Sequence, residues 1–124
     1  MVRVLGLDHV QVAIPRGGED RARTFYADLL GLNEIPKPAP LAGRGGLWLQ
    51  CGQLQLHLGV EEPFSPARKA HPALRIHGYD DLLARLAAAG YPAVPDTSLP
   101  EVERASVSDP FGNRVELING ESIS

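Results

Sequence analysis

Four side chains in this 124-residue chain have the chemistry and the spacing to share a cation: His9, His57, His71 and Glu116. Imidazole nitrogen and carboxylate oxygen suit Zn, Fe, Co, Ni or Mn. With three or four protein ligands such an ion keeps room for water or for a chelating substrate, and acts on it as a Lewis acid. It then stabilises an enolate, alkoxide or similar oxyanion as it forms. Glu116 is the one carboxylate of the four, so it is the ligand expected to loosen and accept a proton; His57 is the second candidate base, provided it is not itself a ligand. The competing reading has no ion: a charged glutamate within a sheet needs a partner, and Arg75 or Arg114 would then hold Glu116 in a salt-bridged patch.

The case for a shared site comes from a repeat in the elements that carry these residues. The first half reads as a strand in "LDHVQVAI", then an amphipathic helix in "EDRARTFYADLLG" with Ala22, Phe25, Tyr26 and Leu29 on one face. A short extended piece around "LNEIP", a Pro/Gly-rich loop "KPAPLAGRGG" and strands in "LWLQC" and "QLQLHLGV" follow. The second half repeats the order: strand "HPALRIH", helix "YDDLLARLAAAG" with Tyr79, Leu82, Leu83 and Leu86 on one face, short strand "YPAV", then strands "VERASVS" and "RVELIN" joined by the turn "DPFGN". Gly31 and Gly90, each just past a helix, are 59 residues apart, as are His57 and Glu116. His9 and His71 are 62 apart, the difference lying in the longer loop "PRGGED" of the first half. The expected fold is α+β: two tandem βαβββ modules whose mixed sheets curve around a cavity, with the helices outside. One domain over 1–124 is expected, with module 1 at about 4–60, a linker at about 61–70 and module 2 at about 71–119.

Strand parity assigns the faces. His9 lies with Gln11, His57 with Gln53 and Gln55, His71 with Arg75, and Glu116 with Arg114. The opposite sides, Val10/Val12/Ile14, Leu54/Leu56/Leu58, Leu74/Ile76 and Val115/Leu117, must pack under the helices, so the polar sides look into the cavity. Trp48 has apolar neighbours on both sides and its face is ambiguous. His77, at a strand end before Gly78, is assigned no role. Arg75, Arg104 and Arg114 are available for an anionic substrate or for simple charge balance.

Bulk properties exclude several classes. Hydrophobic residues make up 44% and charged residues 22%, which fits a soluble folded chain. A formal net charge of −3, without a basic stripe and with few aromatics, argues against nucleic acid as a partner. "MVRVLGLDHV" lacks the apolar core of a signal peptide, and no run approaches a bilayer span, so a cytoplasmic protein without a membrane partner is expected. Cys51 stands alone, which excludes an intramolecular disulfide and reads as a small buried hydrophobe.

The βαβββ repeat, the opening "LDHV", the "HPAL" of the second half and the closing "DPFGNRVELI" together resemble the vicinal oxygen chelate superfamily over residues 4–119. That superfamily includes glyoxalase I, fosfomycin resistance proteins, methylmalonyl-CoA epimerase, extradiol dioxygenases and bleomycin-sequestering proteins. The resemblance implies metal ligands from the first and fourth strands of each half, here His9, His57, His71 and Glu116. It also implies that His9, His71 and Glu116 form the His/His/Glu subset used by fosfomycin resistance proteins and extradiol enzymes. Glyoxalase I commonly has glutamate at the position of His57, so histidine there departs from it. The expectation is a divalent-metal enzyme that chelates a small oxygenated substrate, with lyase, isomerase, transferase or dioxygenase chemistry. The alternative is a non-catalytic small-molecule-sequestering protein of the bleomycin-resistance type, a class that generally lacks the ligand set. A homodimer is also implied, with the linker at 61–70 long enough to permit exchange of halves.

Overall fold

In the computed structural model, which describes residues 1–121, the chain forms two four-stranded mixed sheets in the order the repeat predicts. β1 (His9–Ile14), β2 (Asn33–Ile35), β3 (Leu47–Cys51) and β4 (Leu54–Val60) make the first, with spatial order β1-β4-β3-β2. β5 (Ala73–Ile76), β6 (Val94–Pro95), β7 (Arg104–Ser108) and β8 (Arg114–Asn119) make the second, in the equivalent order β5-β8-β7-β6. In each sheet the first strand runs parallel to the fourth and the other pairs are antiparallel. The architecture is therefore α+β with tandem modules.

The first helical segment begins as α1 (Glu19–Ala22) and continues with π winding over Arg23–Leu29; the second is α2 (Tyr79–Ala88). Both stop where glycine takes a left-handed backbone, Gly31 at φ 81° and Gly90 at φ 91°. The i, i+3, i+4 pattern specifies a helix but not its winding; the π turn still buries Phe25 and Tyr26 completely. The loop 37–46 contains a 3₁₀ segment, Ala39–Arg44, which Gly/Pro content alone does not predict.

One apolar cluster joins the modules. Val12, Ile14, Leu47, Leu49, Leu56 and Leu58 from the first sheet and Leu74, Ala105, Val107, Val115 and Leu117 from the second are buried with Phe25, Tyr26, Tyr79, Leu82 and Leu86 of the helices. Complete burial of a side chain such as Phe25 contributes about 1.5–3 kcal/mol. Phe25 meets Tyr91 edge to face at 5.0 Å, and Arg85 Nη1 donates to Leu29 O at 3.1 Å, so the helical segments of the two modules touch.

The "DPFGN" turn fastens the halves. Asp109 accepts from Tyr26 Oη at 2.7 Å, from Phe111 N at 2.9 Å and from Asn113 N at 2.8 Å. Burial, and then the Asp109 carboxylate, push the Tyr26 phenol far above its ordinary range, so it stays a donor. Asn113, 1% exposed, donates from Nδ2 to Ala13 O of β1 at 2.9 Å, and its Oδ1 accepts from Ala67 N at 2.9 Å. Module 1, the linker and module 2 are thereby tied at one residue. Among the described residues no helix is long and apolar enough to cross a membrane.

Candidate functional site

Register carries the candidate residues onto the faces that the helices leave open. Across the first sheet Gln11, His57 and Trp48 are directly opposed. Across the second, Ala73, Glu116, Ser106 and Val94 form the equivalent row. This settles Trp48, whose side chain shares the face of His57. His71 lies outside the strand expected for it. Pro72 has no N–H to give a ladder, and β5 begins only at Ala73, leaving His71 just before the strand.

In the first module three rings are stacked. Trp48 lies on His57 with centroids 3.9 Å apart at 3°, and His9 lies on His57 at 4.1 Å and 17°. His57 is 5% exposed, and its Nε2 is 2.8 Å from Gln55 Oε1, which accepts. The proton therefore sits on Nε2, and Nδ1 keeps its lone pair. Burial, then the neighbouring His9, hold the His57 pKa below the ordinary imidazole value, so the ring is neutral at pH 7. His9 donates from Nδ1 to Asp8 Oδ2 at 2.8 Å, which leaves its Nε2 as the basic nitrogen.

In the second module His71 donates from Nδ1 to Lys69 O at 2.7 Å and directs Nε2 at Glu116 Oε1, 3.1 Å away. Glu116 is 8% exposed. Its second oxygen is 3.4 Å from Arg104 Nη1, a guanidinium already engaged by Asp96 Oδ2 at 3.2 Å and Ser98 Oγ at 2.9 Å. The partner found for Glu116 is thus Arg104, not the Arg75 or Arg114 of the salt-bridge reading. The reason is cross-strand proximity: β7 runs directly beside β8, with Arg104 opposite Ile118, diagonal to Glu116.

The four residues form two pairs related by the repeat, His9 with His57 and His71 with Glu116. Among the described residues no group of three or more His, Cys, Asp or Glu side chains gathers within the single chain. The donor chemistry of His9, His71 and Glu116 nevertheless fits a cation. Each histidine has its Nδ1 proton fixed by an oxygen acceptor, the arrangement that orients Nε2 as a metal ligand. With that proton on Nδ1, the Nε2 lone pair of neutral His71 faces a carboxylate oxygen, acceptor against acceptor, a contact that a proton or a metal ion must bridge. His57 differs, since Gln55 occupies its Nε2. Strand parity already puts Gln55 on the face of His57, and Arg104 is among the arginines available for charge balance; Asp8 and Lys69 are supporting residues that parity does not reveal, although Asp8 adjoins His9 in "LDHV".

A cavity of about 430 Å³ lies on the open face of the second sheet, lined by Arg68, Pro92, Val94, Ser106, Ser108 and Arg114 among others. A smaller one of about 190 Å³ lies on the first, with Gln11, Lys37, Arg44 and Trp48 in its wall.

The family model described as Glyoxalase/Bleomycin resistance protein/Dioxygenase superfamily matches residues 6–117. A glyoxalase family protein from Bacillus anthracis is 45% identical, with a TM-score of 0.91 over 96% of this chain and 98% of that one. More distant structures share the fold. Lactoylglutathione lyase from Agrobacterium tumefaciens is 19% identical (TM-score 0.72, 94% of this chain, 95% of that one). The fosfomycin resistance protein FosX from Listeria monocytogenes is 17% identical (TM-score 0.74, 95% of each chain). No curated protein matches the chain.

Proposed function

Because the chain belongs to the glyoxalase/bleomycin resistance protein/dioxygenase superfamily, we propose that it is a divalent-metal enzyme acting on a small oxygenated substrate. His9, His71 and Glu116 are the ligands in this reading, and His57 is a neutral proton acceptor. Members of the superfamily generally bind divalent metals and small-molecule substrates and often dimerise. The observation that carries the reading is the tautomer lock: two histidines at repeat-equivalent positions each give the Nδ1 proton to an oxygen and present Nε2.

His9, His71 and Glu116 would hold the cation, which would supply Lewis acidity to an oxygenated substrate. The chain's own groups do the rest. Asp8 and the Lys69 carbonyl fix the two imidazoles, and Arg104 steadies the outer oxygen of Glu116. Trp48 covers one side of His57 and keeps water from it, which maintains the neutral base. Proton transfer falls to His57 Nδ1 or to the Glu116 carboxylate.

Since the two pairs stay apart within one chain, a second copy completes the site, the first module of one subunit facing the second module of its partner. Two-fold symmetry then makes two identical sites per homodimer. Refolding a mixture of His9→Ala and Glu116→Ala chains tests this. Each variant alone lacks a ligand at every site, whereas the mixture regains about one quarter of the wild-type sites, in mixed dimers with one intact site each. Tight binding of Ni, Mn, Zn or Fe(II) by the wild type and its partial return in the mixture is the expected result. No metal binding by the wild type overturns the metal reading, and no return in the mixture overturns the shared site.

A further inference from the structure

We infer that the substrate carries an oxyanion, a carboxylate or a phosphate-like group, and that Arg114 and Arg68 receive it in the cavity beside Glu116. The inference rests on the metal-site reading in one respect, that the cavity adjoins the reacting centre; the anion pocket itself stands on its own observations.

The cavity of about 430 Å³ shares the open face of the second sheet with Glu116. Register places Ser106 directly opposite Glu116, and Ser108 directly opposite Arg114. Among the described residues no carboxylate lines the cavity, and two guanidiniums do. The three arginines of this face that the sequence makes available to an anion are not equivalent. Arg104 is held by Asp96, Ser98 and Glu116. Arg75 is exposed and does not line the cavity. Arg114 lines it, which Arg104 does not, and its Nε, like that of Arg104, is buried without any hydrogen-bond partner among the described residues. A buried guanidinium N–H without an acceptor is costly, and a bound oxyanion supplies the missing acceptor through the forked geometry that favours arginine. Asp96, which feels the Arg114 charge, is already bonded to Ser98 N at 3.0 Å, Ser98 Oγ at 2.6 Å and Arg104, so it does not fill the role. Ser106 and Ser108 add hydroxyl donors. Pro92 and Val94 form an apolar wall for the carbon skeleton, so the occupant is a small organic anion.

Amide-detected NMR titration with inorganic phosphate, methylphosphonate and acetate tests this on the full chain, before and after chelator treatment. Saturable shifts at Ser106, Ser108 and Gly112 are expected with at least one probe, and the stronger probe identifies phosphate-like or carboxylate chemistry. Arg114→Gln weakens that binding about tenfold or more, Arg114→Lys retains part of it, and Arg75→Gln changes it less than about twofold. Arg68→Gln, at an exposed position that does not endanger folding, weakens it about threefold or more. Equal affinity in wild type, Arg114→Gln and Arg68→Gln, or no saturable shift at these amides, overturns the proposal. Binding to chelator-treated protein separates the two readings: the anion pocket then holds whether or not the chain takes up metal.

Discussion

Replacing Glu116 by glutamine separates a metal ligand from a salt-bridged carboxylate. The change keeps shape and one oxygen acceptor while removing the charge. In the metal-free protein little should be lost. The Arg104 contact is long at 3.4 Å, Arg104 retains Asp96 and Ser98, and the glutamine amide can donate to the His71 Nε2 lone pair where the carboxylate needed a bridging proton. Chelator-treated Glu116→Gln should therefore unfold in urea within about 1 kcal/mol of wild type. Metal affinity should fall much further. Partners that only orient a ligand change affinity about 10–100-fold, and loss of the single anionic ligand should exceed about 100-fold. Added Ni or Mn at 100 times the wild-type Kd would then stabilise wild type by about 2.7 kcal/mol and the variant hardly at all. The salt-bridge reading predicts the reverse: a loss of about 3–5 kcal/mol without metal, as expected when one member of a buried pair is removed, and no response of either protein to metal. That pattern would refute the ligand assignment.

Two further predictions concern the groups around the site. Trp48→Leu uncovers His57 and should raise its pKa toward the ordinary imidazole value of 6.5, read from the ring protons by NMR titration. The sign follows from linkage: the folded state resists protonation, so wild-type stability declines as pH falls below 6.5 toward the depressed folded value, and the variant should show a flatter decline; an unchanged titration midpoint would show that stacking does not set the pKa. Asn113→Ala removes bonds to Ala13 O, Ala67 N and Asp109 at a residue 1% exposed and should cost about 3 kcal/mol in urea denaturation, with a loss below about 1 kcal/mol contradicting its role as the tie between modules.

Much of this architecture was legible because it is periodic. Alternation along "HVQVAI" and "RVELIN", and equal spacing of Gly31/Gly90 and His57/Glu116, report strand faces and the internal repeat directly, and the observed strand orders match. What was not legible depends on contacts between strands. The side of Trp48 is hidden in "LWLQC", where apolar residues occur on both faces, and becomes definite only through its register with His57. The choice of Arg104 over Arg75 and Arg114 beside Glu116 is likewise a matter of which strand is neighbour to β8. The start of β5 after Pro72 was readable from the missing proline N–H, yet the alternation of "HPALRIH" draws the strand two residues too far. The separation of the four candidates into two pairs is tertiary, and strand parity, which orders one face at a time, carries no information on it.

Anomalous diffraction from crystals grown with Ni or Mn tests the central claim most directly. The account predicts one peak per chain, within coordinating distance of His71 Nε2, the Glu116 carboxylate and Nε2 of His9 of the partner subunit. A structure at full metal occupancy with its peaks elsewhere, or with His9 and Glu116 facing different solvent spaces in the dimer, would contradict it.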